Sequence, residues 1–208
     1  MNRPRADKDT AQRILEIATQ LVQTRGFNGF SYADIAARLQ VTKASLHYHF
    51  ASKAELGRCL IERYESDFVA ELDAIDGDAN AEFDKLRRYA RIYALALDDS
   101  RMCLCGMLAA EHGTLPEPMR QALQHFFDVN ERWLARVLEQ GRARGSLRFA
   151  GAPREVAAML VGALEGAMML ARSYDDPQRF ARAADRLLAE LEVAQTPAAV
   201  PRKVPRVR

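Results

Sequence analysis

The sequence predicts an all-α fold in which a three-helix head precedes a larger helical bundle. Two observations support this: apolar residues recur at helical spacing along almost all of the 208-residue chain, and capping residues, glycines and prolines separate these segments. Strand-like alternation is almost absent. We divide the chain into a head at 1–55, a helical body at 56–196 and a disordered basic tail at 197–208.

The first predicted helix runs from Asp9 to Arg25, and Gly26 follows it as a stop. Its apolar residues recur every three or four positions. They are Ile14, Leu15, Ala18, Leu21 and Val22. Phe27 and Phe30 come next and are expected to anchor the core of the head.

Two short helices complete the head, joined by a tight connection at Gln40 and Val41. Ser31 followed by Asp34 predicts the start of the first of them, because a side-chain oxygen there accepts an otherwise unpaired backbone N–H and an acid in the first turn suits the helix dipole. Thr42 is placed to cap the second helix in the same way.

The second of these helices has two different faces. Leu46 and Phe50 are four residues apart and point inward. The other face is basic, hydroxylated and aromatic, with Lys43, Ser45, His47, Tyr48 and His49. Ser52 and Glu55 form a capping box that starts the next helix, so this one has about two turns. A short helix of this kind, tightly joined to a preceding one, is typical of a helix-turn-helix that enters the DNA major groove.

The stretch ADIAARLQVTKASLHYHFASKAEL resembles the DNA-binding signature of the TetR/AcrR family of transcriptional repressors. The match is continuous, with two departures: His47 stands where the family has Tyr, and Ala44 stands where Gly is commoner. The resemblance implies a homodimer that binds a palindromic double-stranded DNA operator. It also implies release from that operator by a small-molecule effector that acts on the body.

The resemblance and the expected exposure assign two sets of DNA contacts. Candidates for base edges or their immediate surroundings are Lys43, Ala44, Ser45 and His47. Candidates for phosphate are Ser31, Thr42, Tyr48, His49 and Lys53. Base contacts select the DNA sequence, whereas phosphate contacts fix the register and make binding depend on salt.

The charge distribution favours the same end of the chain. Residues 1–55 hold eight Lys and Arg against five Asp and Glu, net +3, whereas residues 56–196 hold eighteen against twenty-three, net −5. Residues 197–208 hold four basic residues and no acidic one. A basic head on an acidic body attracts phosphate where the helix-turn-helix lies.

The body is predicted to be helical throughout. A long helix after Ser52 carries an apolar stripe and, by the resemblance, links the head to the body. Its stripe is Leu56, Leu60, Tyr64, Phe68 and Leu72. Further helices are expected at 81–97, from 103 to about 111, and at 118–144, 153–173 and 177–193, with glycine or proline near several of their ends.

The predicted helix at 153–173 carries Ala158, Gly162 and Gly166 four residues apart. Glycine inside a helix costs about 1 kcal/mol relative to alanine, and the close approach of another helix is the usual compensation. The resemblance implies that the last two long helices form the homodimer interface, and an internal packing face is the alternative. Reading a palindrome requires two recognition helices about one DNA turn apart.

Two thiols, Cys103 and Cys105, lie at the start of a short predicted helix in the body. A helix N-terminus favours a thiolate, which lowers the pKa of the thiol and raises its reactivity. By its place before G-x-L-A-x-E, Cys103 resembles the sensing cysteine of electrophile-responsive repressors in this family. Buried cysteine is also a common core residue, so simple packing is the alternative.

A reversible pocket for an apolar or aromatic effector is a second interpretation of the body. Such a pocket has a mainly apolar lining with a few polar groups. The candidate lining residues are Tyr89, Tyr93, Met107, Phe126, Phe127, Asn130, Trp133, Glu165 and Met169.

The sequence disfavours an enzyme, a metal site and a cofactor. A cysteine hydrolase would pair a thiol with His112 or His125, but no orienting or oxyanion motif accompanies them. The C-x-C spacing differs from the C-x-x-C of structural zinc sites. A helical adaptor without DNA binding is the alternative from another class.

The chain is expected to be cytoplasmic, without a membrane partner. Its first residues, MNRPRADKD, lack the apolar core of a signal peptide. The longest apolar stretch, at 156–171, is interrupted by Glu165 and is judged too short to span a bilayer. Three cysteines favour reduced thiols over a disulfide framework.

Overall fold

The computed structural model describes residues 3–78 and 81–193. Within these ranges the chain forms nine α-helices, one short 3-10 helix at His112–Thr114 and no β-strand. The helices are α1 (Arg3–Arg25), α2 (Tyr32–Leu39), α3 (Lys43–His49), α4 (Lys53–Asp78), α5 (Glu82–Asp98), α6 (Leu104–Ala110), α7 (Glu117–Arg144), α8 (Pro153–Ser173) and α9 (Pro177–Ala189). The predicted tail at 197–208 lies outside the described residues.

The all-α prediction is confirmed, and the helix bounds differ from it mainly at two places. The first helix begins at Arg3, not at Asp9. The last ends at Ala189, not at residue 193. The reason lies in a local pairing after α9, where Leu147 and Glu192 form an isolated antiparallel bridge.

The head consists of α1, α2 and α3. With seven residues, α3 is too short to be stable alone and depends on packing. That packing comes from Leu46 and Phe50, which are both buried. Thr42 caps the helix, because its side-chain oxygen accepts the backbone N–H of Ser45 at 3.2 Å. The predicted inward and outward faces of α3 are thus both present.

The body consists of α4 to α9, and α4 joins it to the head. At 1.5 Å per residue, the 26 residues of α4 extend about 39 Å. The helix approaches α7 very closely at Gly57, where an added Cβ would lie 2.5 Å from the Met119 sulfur. In the rest of the body, α7 packs against α8 and α8 against α9.

Aromatic rings from three helices meet at the centre of the body. The Phe68 ring of α4 lies edge-on to Tyr89 and Phe126, at centroid distances of 6.0 and 5.3 Å. On the other side of Tyr89, the Trp133 ring stacks at 5.7 Å. Such contacts add to the stability already gained by burial, so this centre is a firmly packed part of the body.

The C-terminal end of α6 is joined to the head by a carboxylate. Glu111 accepts the backbone N–H of Phe27 at 2.7 Å and that of Asn28 at 3.3 Å. The carboxylate reaches them because Gly26 has no side chain: an added Cβ would lie 2.6 Å from Glu111 Oε1. Gly26 also has φ +79°, which favours glycine.

The segment that leads into α6 is joined to the head as well. The backbone N–H of Met102 donates to the carbonyl of Gln23 at 3.1 Å, and the Gln23 side-chain amide donates back to the Met102 carbonyl at 3.0 Å. Both residues are buried. Hydrogen bonds before and after α6 therefore connect this short helix to α1 and to the loop that follows it.

Replacing Glu111 by alanine is expected to destabilise the protein by about 1–3 kcal/mol, because the N–H groups of Phe27 and Asn28 lose a charged acceptor. Chemical denaturation measures this change. Glu139→Ala, at an exposed site on α7, is the matched control and should have little effect. Equal stability of the two variants would show that the carboxylate does not hold the head to the body.

Candidate functional site

The outward face of α3 brings most of the predicted DNA-contacting residues together. Five of them are exposed: Thr42, Lys43, Ala44, His47 and Tyr48. Ser45 and His49 are half-buried beside them. The ring of Tyr48 is 76% exposed, although it is a large apolar group. Exposed aromatic and basic side chains on a short helix are suited to contact with a partner surface.

His47 is oriented by groups of the head. Its ring lies 4.7 Å from that of Tyr32, and its Nδ1 atom lies 3.3 Å from the Ala51 carbonyl oxygen. A carbonyl oxygen can only accept, so the tautomer that uses this contact carries its proton on Nδ1 and has Nε2 as an acceptor. The residue that departs from the family pattern therefore places a ring nitrogen, which can accept a hydrogen bond in this tautomer, on the outward face of α3.

Ser31 is exposed at the start of α2, and its neighbour Asp34 determines how it is held. The Asp34 carboxylate accepts both the backbone N–H and the hydroxyl of Ser31 at 2.7 Å. These hydrogen bonds lower the pKa of Asp34. The Ser31 hydroxyl therefore donates its proton to Asp34, and only its lone pairs remain available as hydrogen-bond acceptors.

Lys53 differs from the other predicted phosphate contacts because it is half-buried. Its ammonium group donates to the carbonyl oxygens of Phe27 and Phe30. The same group lies 4.5 and 4.3 Å from the centroids of these two rings. Burial lowers the pKa of Lys53. An ammonium group has three N–H donors, so one is left for a phosphate in this conformation.

A second candidate site is buried at the N-terminal end of α6. Cys103 Sγ accepts the backbone N–H of Gly106 at 3.4 Å and the hydroxyl of Tyr64 at 3.8 Å. Cys103 and Cys105 are both buried free thiols, and Cys59 is a half-buried one. The sequence placed Cys103 at this helix end but gave no sign of its contact with Tyr64 on α4.

The expected fall in the pKa of Cys103 is wrong for this conformation. Burial and the nearby Glu165 raise the pKa of Cys103 well above its usual range, and they outweigh the opposite effects of Gly106 and Tyr64. Burial raises the pKa of Cys105 as well. The helix dipole favours a thiolate, but desolvation is the larger influence here.

Glu165 of α8 faces this thiol. It approaches α6 so closely that a Cβ added to Gly106 would lie 2.2 Å from its Oε2 atom. Both carboxyl oxygens are buried, and no protein group in the described ranges meets hydrogen-bond geometry with them. Burial raises the pKa of Glu165 to about 7, and the Cys103 thiol opposes part of that rise.

Most of the residues predicted to line a reversible pocket pack against one another. Tyr89 donates to the Asn130 side chain at 3.0 Å and lies 3.1 Å from the Tyr93 hydroxyl. The Asn130 amide donates to the Phe126 carbonyl at 2.9 Å. The polar groups of this cluster are therefore satisfied internally. Half-buried residues packed against the core include Met107 and Phe127.

Met169 does not belong to that cluster. Its side chain is 56% exposed on the outer face of α8, so its predicted place in an interior lining is wrong. An open cavity of about 460 Å³ lies elsewhere, between α5 and α9, where Phe180 and Leu188 form part of its wall. None of the predicted lining residues borders that cavity.

The outer face of α8 is apolar and open. A Cβ added to Gly162 or Gly166 would meet nothing within 4 Å, which rules out an internal packing face. Four large apolar residues, each more than half exposed, lie on the same helix or just after it: Met159, Met169, Leu170 and Tyr174.

By length and composition alone, α8 could also cross a membrane, contrary to the sequence prediction. A core helix passes the same test, and 39% of that window is buried in the fold.

Within the described residues, no group of three His, Cys, Asp or Glu side chains could hold a metal ion.

The arrangement is that of a regulator with one DNA-reading head and one helical body. Residues 14–58 match the family model "Bacterial regulatory proteins, tetR family", and residues 82–187 match "Tetracyclin repressor-like, C-terminal domain". The chain belongs to the TetR family of transcriptional regulators, as its helix-turn-helix signature predicted.

Three similar proteins illustrate the relationship. The repressor DhaR of Mycobacterium sp. (strain GP1) is 28% identical over 76% of this chain and 80% of its own length. The repressor NemR of Escherichia coli (strain K12) is 28% identical over 80% of this chain and 85% of its own length. The solved structure of its reduced form superimposes with a TM-score of 0.77 and 25% identity, and the match covers 90% of this chain and 100% of that chain. A TetR-family regulator from Agrobacterium tumefaciens gives a TM-score of 0.87 and 30% identity over 90% of this chain and 100% of that chain.

Proposed function

We propose that this protein is a cytoplasmic repressor that binds a palindromic operator as a homodimer and leaves it when Cys103 reacts with an electrophile. The observation that carries the DNA-binding part is the separation of two faces on α3. Leu46 and Phe50 hold the helix in the head, which leaves the opposite face free for the major groove.

On that face, the roles follow from the chemistry of the side chains. Lys43, Ala44, Ser45 and His47 lie at or near base edges, and Nε2 of His47 accepts from a base amino group. Thr42, Tyr48 and His49 contact phosphate, with Ser31 at the start of α2. Lys53 contributes its one remaining N–H donor and mainly braces the loop that carries Phe27 and Phe30.

The outer face of α8, with α9 beside it, is the proposed dimer interface. Gly162 and Gly166 are open to solvent in the single chain, so a second helix can approach the backbone there. Exposed apolar stripes of this kind are typical of protein–protein contacts. A two-fold arrangement of these helices would place two heads on one duplex.

The release step is proposed to begin at Cys103. The interior around this thiol is closely packed, so an adduct on Sγ has to displace its neighbours. Those neighbours include Tyr64 on α4 and Gly106 on α6. Movement of α4 or α6 changes the distance between the paired heads, and the adduct then favours the conformation that does not fit adjacent major-groove turns.

The route to the thiol is short on the side of α1 and α4. A recess of about 200 Å³ there is partly lined by Tyr64, Arg63 and Arg101, and the Tyr64 hydroxyl reaches Cys103 Sγ from its other end. Rotation of one half-buried side chain would therefore admit a small reagent. A solved structure of the related repressor NemR is of its reduced form, and we extend this distinction of redox form to the thiol proposed here.

Lys43→Ala and Tyr48→Ala are expected to leave the dimer folded and to weaken operator binding on the order of 100-fold, because each contact occurs twice per dimer. Gel shifts with the DNA upstream of the protein's own gene measure this, at two salt concentrations. Arg132→Ala, which removes an exposed positive charge from the body, is the control. Unchanged affinity in both head variants would remove the assignment, and no salt-dependent binding at all would favour an adaptor.

Treatment with N-ethylmaleimide should release the reduced wild-type protein from its operator and leave Cys103→Ser bound. The reason is that serine preserves the size of the side chain and removes the nucleophile. Fluorescence anisotropy of labelled operator DNA follows the release, and Cys59→Ser controls for reaction at the more exposed thiol. The same release from Cys103→Ser would leave a reversible effector as the signal.

Gly162→Glu should weaken dimerisation at least about tenfold, because a two-fold interface brings two like charges together. The single chain should still fold, since an added Cβ meets nothing at this position. Sedimentation velocity at several protein concentrations measures the change. Gln140→Glu on the exposed surface of α7 is the matched control, and an equally stable dimer in both variants would exclude the α8 face.

A further inference from the structure

Glu165 places a carboxyl group in the interior of the body. Its two oxygens are buried without a hydrogen-bond partner among the described residues. Burying a polar group in this way costs free energy, and a buried charge costs more. A glutamine or leucine would serve packing at least as well. The position beside Cys103 therefore calls for a chemical explanation.

Among the residues that the structure describes, the surroundings of Glu165 contain several proton donors, and no cation has a marked influence on its pKa. The titratable groups that face it are the thiols of Cys103 and Cys105, with Tyr64 on α4 and Tyr89 and Tyr93 on α5. Only burial and the Cys103 thiol have a marked influence on the pKa of Glu165. Within this set, Cys103 has the largest influence on Glu165, and both groups approach the same residue, Gly106.

The backbone at α6 is shaped to permit this contact. Gly106 leaves room for the Glu165 carboxyl group, because an added Cβ would lie 2.2 Å from Glu165 Oε2 and the carboxyl group would have to move away. The same Gly106 donates its backbone N–H to Cys103 Sγ at 3.4 Å. One residue thus gives the carboxyl group room and also supplies a donor to the sulfur beside it.

We propose that Glu165 is the proton acceptor for Cys103 when this thiol adds to an α,β-unsaturated carbonyl compound. The sulfur forms a bond to the β-carbon as its proton passes to the Glu165 carboxylate. The π electrons of the carbon–carbon double bond move to the α-carbon and carbonyl oxygen, and the resulting enolate takes the proton back from Glu165. The thioether adduct and the original carboxylate remain, so no oxidant or reductant is needed.

This arrangement explains how a thiol with a raised pKa can still react. If Cys103 were ionised before the reaction, its thiolate and the Glu165 carboxylate would place two negative charges in one buried site. The proton therefore stays on the Cys103 sulfur until the reaction begins. Transfer of that proton to Glu165 moves the negative charge from the carboxylate to the sulfur and leaves the net charge of the site unchanged. The Gly106 N–H and the Tyr64 hydroxyl already point at the sulfur and stabilise the negative charge that develops there.

The pH dependence follows from the same arrangement. The reactive state has an ionised Glu165 and a protonated Cys103. The rate of addition should therefore rise as Glu165 loses its proton near its pKa of about 7, and it should level off above that pH. A thiol that reacts without Glu165 would instead continue to rise with pH towards its own raised pKa.

The inference rests on the proposed role of Cys103, and the experiment separates the two. Cys59→Ser/Cys105→Ser protein, which keeps Cys103 as its one thiol, is treated with N-ethylmaleimide from pH 5.5 to 9, and intact mass gives the rate of adduct formation. Adding Glu165→Gln should slow the reaction about 100-fold at pH 7.5 and abolish the break near pH 7. Glu165→Asp, which keeps a carboxylate on a shorter chain, should be slower than wild type but retain a break.

Folding does not confuse this comparison, because Glu165→Gln keeps the shape of the side chain and removes a buried charge. Near-ultraviolet circular dichroism and operator binding before treatment confirm that each variant is folded. Glu65→Gln, on α4 at the edge of the same region, is the matched control and should react like its parent.

Two results would overturn the inference. An unchanged rate and pH profile in Glu165→Gln would show that Glu165 takes no proton, and a faster reaction would show that its charge only suppresses the thiolate. Failure of the proposed function is a different outcome: Cys103 would form the adduct with the expected pH profile, yet the modified protein would stay on its operator.

Discussion

The Glu111 carboxylate, which accepts the backbone N–H groups of Phe27 and Asn28, is the contact through which the proposed sensing step would reach the DNA-binding head most directly. Glu111 lies directly after α6, and Cys103 lies directly before it. The seven residues between them span about 10 Å as a rigid helix. Under the proposed function, a displacement at the thiol would be transmitted along α6 to the loop that supports α2 and α3, besides any tilt of α4.

The rest of the body makes such a displacement effective. Rings from α4, α5 and α7 pack at centroid distances of 5.3–6.3 Å around Phe68, and the polar groups among them are mutually satisfied. Close-packed interiors respond to added volume by moving whole elements, since they cannot compress. A small covalent group at Cys103 would therefore shift helices, whereas a reversible ligand among these rings would first need a cavity there.

The features that could be predicted from sequence are those with local causes. Capping side chains, helical periodicity and the signature around Lys43 predicted the head and nearly every helix. No local pattern revealed the contacts between residues far apart in the chain. These are the hydrogen bonds of Glu111 to Phe27 and Asn28, the contact of Tyr64 with Cys103, and the approach of Glu165 to Gly106. The pKa of Cys103 was predicted with the wrong sign because the helix dipole is visible in the sequence and desolvation is not. Glu165, the charge that interrupts the apolar run of α8, was the one available signal.

The separation of faces on α3 has a consequence for how such regulators diversify. The burial that holds the short helix in the head comes from Leu46 and Phe50, whereas Ala44, His47 and Tyr48 on the outward side are exposed. Under the proposed function, Ala44 and His47 can thus be exchanged for other residues without endangering the fold. New promoter preferences would arise by substitution on this face alone, while the chemical trigger in the distant body stays intact. Libraries that randomise a few surface codons would be a practical way to retarget the protein.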